Sequence, residues 1–114
     1  MNQPVNNRPV WDSEKDQPEL CEKLREGFAE IVDPEIGLNI IQLGLIRNVR
    51  LEPDNAIIKM ILTTPFCPYG PAMIETTRQK AEAVLNRPAN IDLSMEMWDF
   101  SMMEEGLGAE WGLY

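Results

Sequence analysis

The sequence LIRNVRLEPDNAIIKMIL, residues 45–62, decides the fold because it has the pattern of a β-hairpin. Residues 45–52 and 56–62 are rich in aliphatic and β-branched side chains, and the turn-forming residues 53–55 separate them. This arrangement predicts two antiparallel strands. The second strand is apolar at nearly every position except Lys59, so it is predicted to lie in the centre of a sheet with much of both faces covered.

Two amphipathic helices are predicted, one on either side of the hairpin. The first begins at DQPEL, where Asp16 is a candidate N-cap and Pro18 suits the first turn. It ends at Asp33, because Pro34 disfavours helical geometry at the residue before it. The apolar residues of this helix recur with helical spacing along one face: Leu20, Cys21, Leu24, Phe28, Ile31 and Val32. The second helix is predicted over residues 71–87.

A third strand is predicted over residues 90–97, where apolar and polar side chains alternate. The apolar side of this strand consists of Ile91, Leu93, Met95 and Met97. The predicted order of elements is therefore αββαβ. Such a chain is expected to adopt an α/β fold of the two-layer α+β kind, a small mixed sheet with the helices packed on one face.

The domain itself is predicted to span residues 18–98. Residues 1–17 lack apolar periodicity and are rich in Pro, Asn and Gln, so a flexible N-terminal arm is expected there. Residues 99–114 form a tail with acidic and aromatic side chains. Such a tail either packs on the sheet or binds a partner, and packing is the commoner outcome.

Charge and hydropathy argue against two classes of partner. Ten basic and nineteen acidic residues give a formal net charge of −9, which opposes binding to nucleic acid and to anionic lipid. No apolar run approaches the roughly 20 residues that span a bilayer, so no membrane association is expected. The N-terminal sequence does not resemble a secretory signal, and a cytoplasmic location is expected.

The absence of histidine removes Cys-His and Ser-His catalytic pairs and every metal site that needs an imidazole. Two cysteines 46 positions apart, Cys21 and Cys67, do not indicate a disulfide framework. Cys21 lies on the apolar face of the first helix and is predicted to be a core residue.

Cys67 stands between two prolines in TTPFCPYGP, residues 63–71. This loop joins the predicted central strand to the N-terminus of the second helix, where backbone N–H groups and the helix dipole favour a thiolate. The flanking prolines make the loop stiff, which suits a functional site. The alternative is a small buried side chain that fills the corner between strand and helix.

Four more residues are candidates for the site, each with an ordinary structural alternative. The hydroxyl groups of Thr63 and Thr64 either bind a thiolate or a ligand oxygen, or satisfy the backbone of the turn. Asp33 and Glu35 flank a proline; they are candidate acid-base or metal-binding carboxylates, or else turn-forming residues.

Three motifs occur in order along the chain: D-P-E at residues 33–35, L-G-L at 43–45 and T-x-P-x-C-P at 63–68. From about Leu20 to Trp98 the sequence resembles the metal-sulfur cluster assembly family that includes SufT, PaaD and the core of the eukaryotic cytosolic iron-sulfur targeting factor. Each motif is weak alone, but three in register are fairly specific.

The resemblance implies that Asp33, Glu35, Thr63, Thr64 and Cys67 line one pocket. It also implies an iron-sulfur cluster assembly or insertion factor rather than an enzyme, with Cys67 as a transient ligand for iron or a cluster and no firmly bound cofactor. Because one thiolate cannot hold a cluster, a homodimer is expected, with iron-sulfur assembly proteins and apo client proteins as partners.

PaaD-like members carry additional cysteines in a C-terminal extension, and residues 99–114 contain none, which argues against a role as accessory to a multicomponent oxygenase. Two other classes of function stay open at the level of sequence. One is a thiol-dependent enzyme with Cys67 as nucleophile and Asp33 or Glu35 as base. The other is a pure protein-interaction module that uses its acidic surface and aromatic tail.

Overall fold

A computed structural model describes residues 10–34, 36–63 and 69–103 of the chain. The regular elements are α1 (Pro18–Phe28), β1 (Ile46–Glu52), β2 (Asn55–Met60), α2 (Gly70–Leu85) and β3 (Ala89–Leu93), with short 3-10 helices at Asp12–Glu14 and Phe100–Met102. This confirms the predicted order αββαβ and the α+β class. Neither α1 nor α2 is long and apolar enough to cross a bilayer, and no other helix among the described residues is.

The three strands form a mixed sheet in the order β1-β2-β3. β1 and β2 are antiparallel, as predicted for the hairpin, whereas β2 and β3 are parallel. The parallel pair requires a crossover, and α2 provides it. β2 is therefore the central strand, as its apolar composition predicts.

One face of the sheet forms the core. Val49 on β1, Ile58 on β2 and Ile91 on β3 are register neighbours on this inner face, and the first two are fully buried. Buried side chains of α1 and α2 pack against the inner face; they include Cys21, Leu24, Phe28, Met73, Ala81 and Leu85. The opposite face is more polar and carries Arg50 and Asn90. The helices thus cover one face, as predicted.

Both helices are shorter than predicted. The N-cap of α1 is Gln17, so the prediction that Asp16 caps the helix was wrong, and no side-chain hydrogen bond caps this end. α1 ends at Phe28 and not at Asp33. The amides of Glu30 and Ile31 form 3-10-type hydrogen bonds to residues three positions earlier, and Val32 then pairs with Asn39. α2 ends at Leu85, because Asn86 adopts a left-handed conformation with φ of 56°.

The segment after α1 forms a tight turn instead of a fourth helical turn. Val32 forms an antiparallel bridge with Asn39, and the amide of Ile40 donates to the carbonyl of Ile31 at 2.9 Å. The Val32 side chain is 49% exposed, so the prediction that it lies on the buried face of the helix was wrong.

The segment before α1 is packed against the sheet, so the prediction of a flexible arm was wrong for residues 10–17. Trp11 is 2% exposed, and its indole Nε1 donates to the carbonyl of Ile46 at 3.3 Å. The Ser13 hydroxyl accepts a hydrogen bond from the amide of Leu51 at 2.7 Å. Burying a large aromatic ring supplies the driving force that the polar composition of this segment conceals. Residues 1–9 lie outside the described part of the chain.

β3 is also shorter than predicted, because β2 ends at Met60 and offers no further pairing. The last hydrogen bond of the pair runs from the amide of Ser94 to the carbonyl of Met60 at 2.8 Å. Met95 and Met97 are 90% and 76% exposed, so the prediction that they continue a buried apolar side was wrong. Met103 is fully buried, which shows that the start of the tail packs on the domain. Residues 104–114 lie outside the described part.

Candidate functional site

The candidate site lies where the parallel strands β2 and β3 reach their carboxyl ends. Ligands of open sheets bind beyond the carboxyl ends of parallel strands, because the loops that leave those ends converge there. Thr63 follows β2 by three positions and is half-buried, and Tyr69 is the N-cap of α2. Thr64 and Cys67, which were predicted to belong to the site, lie between them in sequence and outside the described residues.

Asp33 is a buried carboxylate that closes the turn after α1. Its side chain is 1% exposed, and Oδ1 accepts a hydrogen bond from the amide of Ile36 at 3.2 Å. The Asp33 amide donates to the carbonyl of Leu38, and its own carbonyl accepts from the amide of Gly37. The ordinary alternative for Asp33, a turn-forming residue, is therefore present in the structure. Glu35 lies outside the described residues.

The turn after α1 faces the first turns of α2 across a cleft of about 400 Å³, called here the α2 cleft. It is lined by Glu30, Ile31, Val32, Pro34, Tyr69, Ala72, Met73, Thr76 and Lys80. An ion pair between Lys80 Nζ and Glu30 Oε1, at 2.7 Å, lies at its margin. The structure thus brings Pro34 of the D-P-E segment to the same cleft as Tyr69, which lies two residues after Cys67 in the sequence.

A second cavity, of about 320 Å³, lies beside the end of β3 and is called here the β3 groove. It is lined by Leu62, Thr63, Leu93, Ser94, Met95, Glu96, Met97 and Trp98. Thr63 therefore lines a different cavity from the neighbours of Asp33. The two flanks of the Cys67 loop, Thr63 and Tyr69, each line one of the two cavities.

Sequence reasoning missed the β3 groove, although the signal was present. Leu93, Met95 and Met97 alternate with polar residues, and this alternation predicts a strand with one covered side. Periodicity shows which side is apolar but not whether another element covers it. The three side chains are 45%, 90% and 76% exposed, so the described part of the chain does not cover them.

Cys21 is a core residue, as predicted. Its side chain is fully buried, and this burial raises the pKa of its thiol, with the nearby Glu14 carboxylate acting in the same direction. A neutral buried thiol is a poor ligand for iron. Across residues 10–34, 36–63 and 69–103, no three Cys, Asp or Glu side chains converge as a metal site.

The fold is that of a known class of small α+β domains. The crystal structure of the domain of unknown function DUF59 from Bacillus anthracis matches it with a TM-score of 0.75 at 21% identity, covering 88% of this chain and 98% of that one. Residues 22–92 match the family described as iron-sulfur cluster assembly protein. Because this match spans more than half of its residues, the chain belongs to the iron-sulfur cluster assembly protein family.

Two curated relatives carry related names. The Fe-S protein maturation auxiliary factor of Porphyromonas gingivalis is 40% identical over 85 residues, which are 72% of this chain and 81% of that protein. The Fe-S protein maturation auxiliary factor SufT of Staphylococcus aureus is 35% identical over 49 residues, 42% of this chain and 56% of that protein. The similarity to SufT that the three motifs predict is confirmed.

Proposed function

We propose that this chain acts in the maturation of iron-sulfur proteins, as an adaptor or carrier that uses Cys67 as a transient ligand for iron or a cluster. The family match over residues 22–92 is the observation that carries the proposal. The names of the relatives from Porphyromonas gingivalis and Staphylococcus aureus support it, since both are maturation auxiliary factors. Iron or the cluster is cargo in this proposal and not a resident cofactor.

The position of Cys67 in the sequence supports a thiolate. It lies two residues before Tyr69, the N-cap of α2, and the Tyr69 side chain does not cap this 16-residue helix. The positive end of a helix dipole lowers the pKa of a nearby thiol, and the thiolate is the form that binds iron. We propose that Asp33, Glu35, Thr63 and Thr64 position or accompany this thiolate. The α2 cleft supports a role for the D-P-E segment, because Pro34 of that segment and Tyr69 both line it.

The number of thiols limits how a cluster is held. Iron-sulfur clusters are normally bound by four cysteine thiolates. The sequence contains two cysteines, and the thiol of Cys21 is fully buried in the core. We therefore propose that a cluster is shared between two copies of the chain in a homodimer, or with an assembly or client protein, in the cytoplasm.

The test in vitro is anaerobic incubation with iron and sulfide, followed by absorption spectroscopy and size-exclusion chromatography. We expect a labile cluster at less than one per chain, because Cys21 is buried and Cys67 is then the one candidate ligand in each chain. It should elute with the dimer, disappear in Cys67→Ser and persist in Cys21→Ser, which is the matched control. A stable cluster on each monomer that persists without Cys67 would contradict the carrier role.

The test in cells asks whether iron-sulfur enzymes depend on the chain and on Cys67. In a strain that lacks the gene, the activity of its iron-sulfur enzymes should fall, and the chain with Cys21→Ser should restore that activity. The chain with Cys67→Ser should restore little or none of it. Affinity capture from the same cytosol should recover cluster-assembly proteins or apo iron-sulfur enzymes. Full iron-sulfur enzyme activity without the chain, together with capture of none of these proteins, would overturn the proposed function.

A further inference from the structure

β3 has a free edge among the described residues, and the β3 groove lies at the carboxyl end of the same strand. β3 pairs on one side with β2, and no described residue pairs with its other side. The β3 groove is lined by Leu93, the last residue of β3, by residues 94–98, which have no regular secondary structure, and by Leu62 and Thr63. An exposed strand edge next to an apolar groove is the arrangement by which sheets bind extended peptides.

The hydrogen bonds of the β2-β3 pair show which backbone groups are available. The Ala56 amide donates to the carbonyl of Pro88, and the Ser94 amide donates to the carbonyl of Met60. In a parallel pair, alternate residues direct their backbone groups to the same neighbour, so Ile91 and Leu93 direct theirs away from β2. Ala89 also directs its backbone groups away from β2, but its amide already donates to Glu82 Oε2 at 3.1 Å.

The charge of this surface favours a basic partner. Glu96 is the one charged residue among those that line the β3 groove. Asp99, just beyond the groove, is also acidic, and its pKa is lowered because the hydroxyl and amide of Ser101 donate to the carboxylate. Arg47 Nε lies 3.9 Å from Glu96 Oε1, so the ion pair is loose, and the Glu96 side chain is 41% exposed. The chain as a whole carries a net charge of −9.

Charge disfavours a second copy of the chain at this edge in the register that pairs Ile91 with Leu93. If two β3 strands paired antiparallel with Ile91 opposite Leu93, the two copies of Asp92 would lie directly opposite each other. Like charges in that position destabilise a strand pair. The net charge of −9 on each copy adds to the repulsion.

We infer that the free edge of β3 and the β3 groove bind an extended segment of another protein that has apolar residues at alternate positions and Lys or Arg between them. The segment adds as a fourth strand, with hydrogen bonds to the backbone of Ile91 and Leu93. Its apolar side chains contact Met95 and Met97, and its basic side chains lie near Glu96. The inference is independent of the proposed function, because it involves neither Cys67 nor iron.

The test uses a synthetic peptide of alternating Lys and Val or Leu residues, titrated into the full chain and followed by backbone amide NMR. The shifts should concentrate at residues 91–98. The same peptide, N-methylated at alternate residues, keeps its charge and side chains but cannot form the strand, and it should bind at least about tenfold more weakly. A peptide with Glu in place of Lys should also bind at least about tenfold more weakly.

Variants of the chain separate edge pairing from general attraction to an acidic protein. Leu93→Pro removes an outward N–H without removing a bond to β2 and should weaken binding at least about tenfold. Glu96→Lys should weaken it about fivefold, whereas Asp54→Lys, the same charge change in the distant hairpin turn, should alter it less than about twofold. Circular dichroism checks the fold of each variant. The inference would be overturned if all three variants bound the peptide as tightly as the unchanged chain does. It would also be overturned if the N-methylated peptide bound as tightly as the unmodified peptide.

Hydrogen exchange in the free chain tests whether the edge is already occupied. The amides of Asn90 and Asp92 should exchange slowly because they bond to β2. Those of Ile91 and Leu93 should exchange fast and become slow when the peptide binds. Protection of Ile91 and Leu93 in the free chain would overturn the inference: protection that grows with concentration would assign the edge to a second copy, and constant protection to residues 104–114.

Discussion

Met60 and Leu93 are register neighbours in the parallel pair of strands, yet Met60 is fully buried and Leu93 is 45% exposed. Both lie at the carboxyl ends of their strands. The difference arises because the central strand has a neighbouring strand on each side, whereas the edge strand has one on a single side. The position at which the core ends is therefore also the position at which the β3 groove begins.

This pair gives a first prediction. Met60→Ala should lower the free energy of unfolding by about 2–5 kcal/mol, because it leaves a cavity in a packed core. Leu93→Ala should lower it by less than about 1.5 kcal/mol, because roughly half of that side chain is already in water. Urea denaturation of both variants measures the two values. Similar losses would show that Leu93 is covered in solution.

Trp11 gives a second prediction, because it anchors the segment before α1. Trp11→Ala should cost about 3–5 kcal/mol of unfolding free energy. Trp11→Phe keeps a six-membered aromatic ring but removes the rest of the indole and the hydrogen bond to the Ile46 carbonyl, so it should cost less, about 1–3 kcal/mol. The Arg25 guanidinium, 3.9 Å from the ring centroid, loses its contact in the first variant alone. A neutral Trp11→Ala would mean that this segment is detached in solution.

Two glycines with positive φ give a third prediction and serve as matched controls for each other. Gly37 has φ of 84° and open space where a methyl group would lie, so Gly37→Ala should cost about 1–2 kcal/mol from backbone strain alone. Gly44 has φ of 74°, and a Cβ there would lie 2.0 Å from the carbonyl oxygen of Met102. Gly44→Ala should therefore lower the unfolding free energy by about 1–3 kcal/mol more than Gly37→Ala does. Thermal denaturation compares the two variants. Equal decreases in Tm would show that Met102 does not contact Gly44 in solution.

A fourth prediction compares the two thiols. Near neutral pH, an alkylating reagent should modify Cys67 much faster than Cys21 in the folded chain, because the rate follows thiolate fraction and access. Cys21 is fully buried, and its pKa is raised. Mass spectrometry of quenched samples gives both rates, and denatured chain gives the reference. Equal rates in the folded chain would remove the reason for assigning the functional thiol to Cys67.

The raised pKa of Cys21 gives a fifth prediction, on alkaline stability. Burial favours the neutral thiol, so the folded pKa lies above that of the unfolded chain. The stabilisation is complete below the unfolded pKa and is lost as pH rises through the folded one. The unfolding free energy should therefore fall above about pH 8.5. This fall should be smaller in Cys21→Ala, and an identical pH profile would contradict the prediction.

The hairpin, both helices and the central position of β2 could be predicted from the sequence, because those features follow from local periodicity. Trp11 was missed for a physical reason: a single aromatic residue in a polar segment has no period, and its burial depends on a partner 35 positions away. Residues 95–97 were misread because alternation does not reveal whether a covering element exists. The prediction that Asp33 and Thr63 line one pocket came from the family resemblance. In the structure, Thr63 lines the β3 groove, whereas residues next to Asp33 line the α2 cleft.

The short stretch Leu43–Ile46 has a consequence for the order of folding during synthesis. The carbonyl of Ile46 accepts from Trp11, and the carbonyl of Leu43 accepts at 2.7 Å from Trp98, which lies 55 positions later. A ribosome that adds about 5–20 residues per second needs about 3–11 seconds to cover that interval. During this time the surface that receives Trp98 and Met102 is open to water. The nascent chain can therefore dock Trp11 early, but it reaches its final packing only after residue 103 has left the exit tunnel.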